Sequence, residues 1–156
     1  MDQMRRNVLK AGAGASLFAA LAAAGMLQPD AALAADWSKK AFGAKNLKDA
    51  LDALGAGTPI NSNDIVMTAP EIAENGAVVP IGAVSNIPGT ESIAILIEKN
   101  PTALAANFDI PAGTEPAVST RVKMAETSEI HVLVKAQGKY YRTKKEVKVT
   151  IGGCGG

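Results

Sequence analysis

Short runs in which apolar and polar residues alternate recur through the second half of the chain. The runs 120–125, 130–135 and 146–151 each place an apolar or β-branched residue at every second position. This period of two matches the alternation of side chains along a β-strand. A further run, 91–98, holds a continuous apolar stretch that is ended by Asn100-Pro101. These patterns predict strands.

Turn signals separate these runs from further β-like segments. Asn75-Gly76 is a strong turn signal, and Gly138 marks another turn. Pro80 lies inside a β-like run and predicts an edge position or a bulge, because proline cannot donate to a sheet ladder. About seven short strands with no helical period between them favour an immunoglobulin-like β-sandwich over residues 58–151. The chain has neither the cysteine pair nor the central-strand tryptophan of antibody domains.

The segment before the strands, residues 35–57, predicts helical structure. Asn46 is a candidate N-cap, and Gly55 is a candidate C-terminal stop. Three leucines between them fall on one helical face: Leu47, Leu51 and Leu54. Trp37 and Phe42 are expected to join the same apolar surface. Whether that surface packs onto the sandwich or covers a partner stays open at this point.

The first 34 residues have the features of an export signal. Arg5 and Arg6 are followed by a hydrophobic pair and a lysine, the arrangement of a twin-arginine signal, although two neighbouring positions depart from the usual residues. The stretch 11–27 is too mildly apolar for a stable membrane span, and 32–34 is a small-x-small cleavage site. We therefore expect a cleaved leader over 1–34, no stable membrane anchor, and export to the periplasm by the twin-arginine pathway.

Composition argues against several function classes. A formal net charge of +1 with 4% aromatic residues gives no indication of nucleic-acid binding. The only histidine, His131, lies mid-strand, where a satisfied or surface side chain is expected rather than a general base. The sequence pattern contains no catalytic set, phosphate loop or metal constellation, so we expect no metal, no cofactor and no catalytic residue. Five cations between Lys139 and Lys148 form either a solvated face or a surface that attracts anions or an acidic partner.

The C-terminal residues 152–156 contain the only cysteine of the chain. Cys154 lies between two pairs of glycines: Gly152, Gly153, Gly155 and Gly156. Glycine loses the most conformational freedom on ordering, so this segment is expected to form a thin, mobile arm. Fully extended, five residues reach roughly 17 Å. The geometry favours a carrier, whose thiol enters a cleft in another protein while the domain stays outside.

Two other interpretations of Cys154 remain. A structural or assembly subunit would use the thiol only for an interchain disulfide, since an odd cysteine in an exported protein is either reactive or intermolecular. A thiol oxidoreductase is disfavoured because the chain has no second cysteine. An exposed thiol with a pKa near 8.5 is only about 3% thiolate at pH 7. A carrier of this kind therefore depends on a partner enzyme to activate the sulfur.

Three segments of the chain resemble the SoxY family, the sulfur-carrying subunits of the periplasmic thiosulfate-oxidising system. The terminal residues 152–156, which follow the strand-like 147–151, are the most specific part of the likeness. The segments 70–81 and 120–128 are similar to internal signatures of the family. The likeness extends over the whole mature chain and includes the twin-arginine leader.

The resemblance implies an immunoglobulin-like sandwich that pairs with a smaller β-sandwich subunit, SoxZ, in a heterodimer. It implies that Cys154 is the covalent attachment site for sulfur intermediates and that the neighbouring glycines give the arm reach and clearance. In that scheme the cytochrome SoxAX couples thiosulfate oxidatively to the thiol, and the hydrolase SoxB removes the terminal sulfone as sulfate. A contact with the molybdenum enzyme SoxCD, which oxidises the remaining sulfane sulfur, stays open. No residue of this chain is catalytic there.

Overall fold

The computed structural model describes residues 39–151. The predicted leader with Arg5 and Arg6, Trp37, and the predicted arm with Cys154 lie outside this range. The described range contains two short helices and nine strands: α1 (Lys39–Phe42), α2 (Leu47–Ala53), β1 (Ile60–Asn61), β2 (Ile65–Thr68), β3 (Ile72–Ala73), β4 (Val79–Ser85), β5 (Thr90–Ile97), β6 (Leu104–Asp109), β7 (Ala117–Val122), β8 (Ser128–Ala136) and β9 (Lys139–Val149). None of the helices between residues 39 and 151 is long and apolar enough to cross a membrane.

The strands form two sheets. The larger sheet has the order β1-β9-β8-β5-β6, and the smaller sheet has the order β2-β4-β7. All pairs are antiparallel except two short ones, in which β1 and β3 run parallel to opposite ends of β9. The result is the mainly β, immunoglobulin-like sandwich that the strand patterns predict.

The central strand β8 is buried on both of its faces. Ile130, Val132 and Val134 belong to the apolar clusters that the two sheets enclose. Leu133 points to the opposite face and belongs to a cluster with residues of both helices. Burying a side chain of this size contributes roughly 1.5–3 kcal/mol, so β8 is the main link between the two apolar layers.

Helix α2 covers the outer face of the larger sheet. Its predicted N-cap is confirmed, because the side chain of Asn46 accepts a 2.8 Å hydrogen bond from the amide of Asp49. Gly55 ends the helical segment with φ of 73°, a value that favours glycine. The apolar stripe of the helix packs onto the sheet rather than standing open: Phe42, Leu47, Leu51 and Leu54 share one cluster with Leu96, Leu104 and Leu133.

The strand pattern differs from the prediction in two respects, and the edge position predicted for Pro80 holds only locally. Nine strands are present among the described residues instead of about seven, because β1 and β3 have only two residues each and so show no period. Strand β9 runs continuously from Lys139 to Val149, whereas the alternating run in the sequence covers only 146–151. Pro80 lies in β4, the central strand of the smaller sheet. At Pro80 itself the position is locally an edge, since β2 pairs with β4 only from Gly82 onwards.

Candidate functional site

The predicted attachment site, Cys154, and its four glycines lie outside the described residues. The structure does describe the chain that leads into them. Strand β9 ends at Val149, and Thr150 and Ile151 follow it. We call residues 148–151 the arm root.

The arm root is bound along one side by the segment 71–76. Three backbone hydrogen bonds join the two: the Lys148 amide to the Glu71 carbonyl (3.0 Å), the Thr150 amide to the Ala73 carbonyl (3.1 Å), and the Gly76 amide to the Ile151 carbonyl (2.7 Å). The first two extend the parallel pairing of β3 with β9. The third continues it beyond the end of β9 as far as the last described residue.

Two threonine hydroxyls bind the same root. Thr150 donates from Oγ1 to the carbonyl of Glu74 at 2.9 Å. Thr127, which lies between β7 and β8, accepts at Oγ1 from the amide of Val149 at 2.9 Å. A typical hydrogen bond contributes about 1 kcal/mol to stability. The root is therefore attached to two separate parts of the domain.

The predicted Asn75-Gly76 turn is confirmed, and it connects these attachments. The Asn75 side chain accepts a 2.8 Å hydrogen bond from the amide of Ala77, which stabilises the turn. Gly76 is buried, and its carbonyl accepts from the amide of Met124 at 2.7 Å. One glycine thus joins the arm root to the segment that follows β7.

Asn100 holds the segment after β7 from the other side. Its Nδ2 donates to the Lys123 carbonyl at 2.7 Å, and its Oδ1 accepts from the Ala125 amide at 2.9 Å. The sequence analysis predicted a turn, a strand and a family resemblance within 70–81 and 120–128, but no contact between the two segments. The structure shows that the two motifs meet at Gly76 and that both contact the arm root. The sequence contained both motifs, but their spacing along the chain did not indicate that they contact each other or the arm root.

The basic run on β9 is partly engaged within the domain. Three of its cations have partners: Lys144 Nζ with Glu129 (2.9 Å), Lys145 Nζ with the Ala69 carbonyl (2.8 Å), and Arg142 Nε with Asn61 Oδ1 (3.0 Å). The Lys144 contact lowers the pKa of the Glu129 carboxyl. These contacts favour a structural interpretation for these three cations, and attraction of anions stays a prediction.

His131 differs from its prediction. Its side chain is buried, and neither ring nitrogen has a hydrogen-bond partner among the described residues, so it is neither at the surface nor satisfied. Burial lowers the pKa of the imidazole below its ordinary value, although Glu129 and Glu98 oppose that shift. Each of those carboxylates has an oxygen 3.8 Å from Nε2. The sequence pattern indicated no metal constellation, yet Glu98, Glu129 and His131 place possible ligand atoms within 4.8 Å of one another.

The fold and the arm root define a class of protein: a β-sandwich whose last strand leads, from a root bound on two sides, into a glycine-rich segment with a single cysteine. A family model described as "Sulfur oxidation protein SoxY" matches residues 50–154. The chain belongs to the SoxY family. The match includes the arm root and reaches Cys154.

The chain is also similar to the solved structure of the sulfur carrier protein SoxY from Chlorobium limicola f thiosulfatophilum. The two are 46% identical with a TM-score of 0.62, over 72% of this chain and 99% of that one. A chain from a structure on T cell activation by the bacterial superantigen toxic shock syndrome toxin-1 matches at 13% identity and a TM-score of 0.39, over 55% of this chain and 98% of its own. The human F-spondin reeler domain matches at 11% identity and a TM-score of 0.35, over 60% of this chain and 96% of its own. These last two are too dissimilar to bear on function. No protein with a curated description matches the chain.

Proposed function

We propose that this protein carries sulfur intermediates bound covalently to Cys154 during thiosulfate oxidation. Membership of the SoxY family and the 46% identity to a protein described as a sulfur carrier support the proposal. The observation that carries it is the arm root. Gly76, Thr127 and Glu74 hold the arm root in place. The root is therefore a fixed origin, from which the glycine-flanked thiol three residues beyond Ile151 can reach outward.

The chemistry assigned to the thiol has two balanced steps. In the first, the Cys154 thiolate and thiosulfate form a sulfur–sulfur bond, giving a Cys–S–S–SO₃⁻ adduct, and two electrons leave to the partner cytochrome. In the second, water attacks the terminal sulfone, sulfate and two protons are released, and a Cys–S–S⁻ persulfide remains. The thiolate is the reactive form in the first step, and only about 3% of an unperturbed thiol is ionised at pH 7. Activation is therefore assigned to the enzyme that receives the arm.

The proposed setting follows from the same resemblance. The chain pairs with a SoxZ-like subunit, is exported to the periplasm through the signal that contains Arg5 and Arg6, and presents the arm to SoxAX and SoxB, with SoxCD as a further candidate. It needs no cofactor besides the bound sulfur and has no catalytic residue of its own. The twin-arginine route exports folded proteins, so we expect the SoxZ-like partner to travel with this chain and to lack a signal. An export signal on that partner would contradict this part.

The test is the intact mass of the mature protein isolated from periplasm of thiosulfate-grown cells, before and after reduction. The proposal expects reducible adducts of sulfur, sulfonate or thiosulfonate that map to the C-terminal peptide. A bare thiol in every preparation, or only a dimer whose mass halves on reduction, would instead support a structural subunit with an interchain disulfide.

Cys154→Ser is the matched variant for this experiment. The carrier proposal expects folding and partner binding to survive while thiosulfate turnover stops. If turnover continued in Cys154→Ser while the oligomeric state changed, the thiol would have a structural role only.

A further inference from the structure

A second site lies on the outer face of the larger sheet, where three potential ligands meet. Glu129 and His131 are two residues apart on β8, so their side chains share one face of the strand. Glu98 directly follows β5, and its amide donates to the Glu129 carbonyl at 3.1 Å. The antiparallel pairing of β5 with β8 thus brings Glu98 beside the other two residues.

The histidine is the part of this cluster that ordinary surface chemistry does not explain. The His131 side chain is 4% exposed, and both ring nitrogens lack a hydrogen-bond partner in the part of the chain that the structure describes. Burying a polar group without a partner costs free energy. Nε2 faces the Oε2 atoms of Glu98 and Glu129, each at 3.8 Å, and these carboxylates are 48% and 35% exposed. The cluster therefore has a buried inner wall and an outer side that an ion can reach from solvent.

We propose that Glu98, Glu129 and His131 bind a divalent transition-metal ion, with Zn²⁺ as the best fit. One imidazole and two carboxylates are a ligand set that zinc accepts, with bond lengths of about 2.0–2.2 Å. Tetrahedral ligands at such distances lie about 3.4 Å apart. Nε2 is 3.8 Å from each carboxylate oxygen, and the three ligand atoms lie within 4.8 Å of one another, so an inward shift of about 0.4 Å at Nε2 and of at most about 1.4 Å between the carboxylates brings them to that spacing. Water supplies the fourth position on the solvent side. The ion joins the end of β5 to β8 and uses the otherwise unpartnered Nε2.

Lys144 is the competitor for this site. Its Nζ contacts both Glu129 oxygens, at 2.9 and 3.0 Å, and Arg142 also lies close enough to oppose a positive charge on His131. An incoming ion must displace the ammonium group from one oxygen. Removing the Lys144 charge should therefore strengthen binding, a result that a nonspecific acidic surface would not give at this one lysine.

The experiment titrates Zn²⁺ and, separately, Co²⁺ into the metal-free full-length chain carrying Cys154→Ser, so that the thiol cannot bind the ion. Calorimetry gives stoichiometry and affinity, and Co²⁺ absorption reports nitrogen and oxygen ligation. We expect one ion per chain, weakened by about tenfold or more in Glu98→Gln and Glu129→Gln, and strengthened in Lys144→Gln. Thermal unfolding should shift upward with Zn²⁺ in the parent and not in the two glutamate variants.

Glu91→Gln is the matched control. Glu91 is also at an end of β5, but at the opposite end, where it pairs with Lys135 at 2.8 Å. Zinc binding should be unchanged in this variant. The proposal is overturned if no saturable binding occurs up to millimolar Zn²⁺, or if binding is equal in Glu98→Gln and Glu91→Gln. The glutamate variants keep it testable even if His131→Gln does not fold, because both carboxylates are solvent-accessible.

Discussion

The amide of Gly76 donates a 2.7 Å hydrogen bond to the carbonyl of Ile151, although 75 positions separate the two residues. The Gly76 carbonyl at the same time accepts from the amide of Met124 at 2.7 Å. The turn that contains Gly76 therefore fixes the position of Ile151, the last residue of the arm root, on the sandwich. The proposed function depends on Cys154, three residues beyond Ile151. The hydrogen bond between Gly76 and Ile151 is therefore the contact through which the fold positions the root of the proposed arm.

Replacing Thr127 with Val should loosen the arm root. The change keeps the shape of the side chain but leaves the Val149 amide without its acceptor. Losing a partner for a partly buried amide costs about 1–3 kcal/mol, so the free energy of unfolding should fall by that amount. Hydrogen exchange at Val149 and Thr150 should accelerate more than at the centre of β9.

Thr120→Val is the control for that change. Thr120 lies on β7, and its hydroxyl makes no hydrogen bond within residues 39–151. Its stability and exchange should stay close to those of the parent. Equal effects at Thr127 and Thr120 would show that the Thr127 hydroxyl does not hold the root.

Deleting Gly152 and Gly153 tests the reach of the arm. The deletion brings Cys154 about 7 Å closer to the root, which should slow sulfur loading by the partner enzymes. Reaction of the thiol with a small reagent should stay unchanged, because it requires no reach. If loading and reagent rates fell together, the loss would lie in exposure of the thiol and not in arm length. Restoring two residues as Ala-Ala should recover the reach.

The helix-to-sheet contact gives a prediction about stability alone. The Tyr140 hydroxyl donates to the Leu54 carbonyl at 2.6 Å, just beyond the end of α2. Tyr140→Phe should lower the free energy of unfolding by about 0.5–1.5 kcal/mol, measured by chemical denaturation. Tyr141→Phe is the matched control, since that hydroxyl has no hydrogen bond in the described part of the chain. A Tyr141 effect as large as that of Tyr140 would contradict the assignment.

The sequence predicted those parts of the molecule that depend on local periodicity. The period-two runs located β7, β8 and the second half of β9, and the continuous apolar run located β5. Asn46 and Gly55 bounded the helix, because each of these signals acts within a few residues. Strand β3 was missed because two residues show no period, and its pairing with β9 joins positions that are more than 70 residues apart.

The same limit applies to the sites. The Asn75-Gly76 pair predicted a turn, but no sequence pattern near it indicated that the turn would bind Ile151. Glu98 follows β5 and Glu129 lies on β8, so their convergence on His131 depends on the register of β5 with β8. The alternation along β8 predicted that the His131 side chain lies on the face of the strand that points away from the core between the sheets. It did not reveal that helical residues bury that face as well.

His131 also makes stability depend on pH in a defined direction. Its pKa is lowered in the folded protein, mainly by burial, with Arg142 and Lys144 adding to the shift and Glu129 and Glu98 opposing it. The unfolded chain, with a pKa near 6.5, then binds a proton more readily than the folded one. The contribution of neutral His131 is complete above about pH 6.5 and declines as the pH falls toward the lowered value, by at most about 1.4 kcal/mol per pH unit.

The measurement is chemical denaturation between pH 5 and 8 with a chelator present, so that metal binding does not contribute. The parent should lose stability as the pH falls below 6.5. His131→Gln should show a flat profile above pH 5.5, because the chain has no other histidine and its carboxylates titrate mainly at lower pH. A parent that gained stability on acidification through this range would mean that the imidazole is stabilised in its charged form by Glu98 and Glu129, and that the pKa is raised in the folded state.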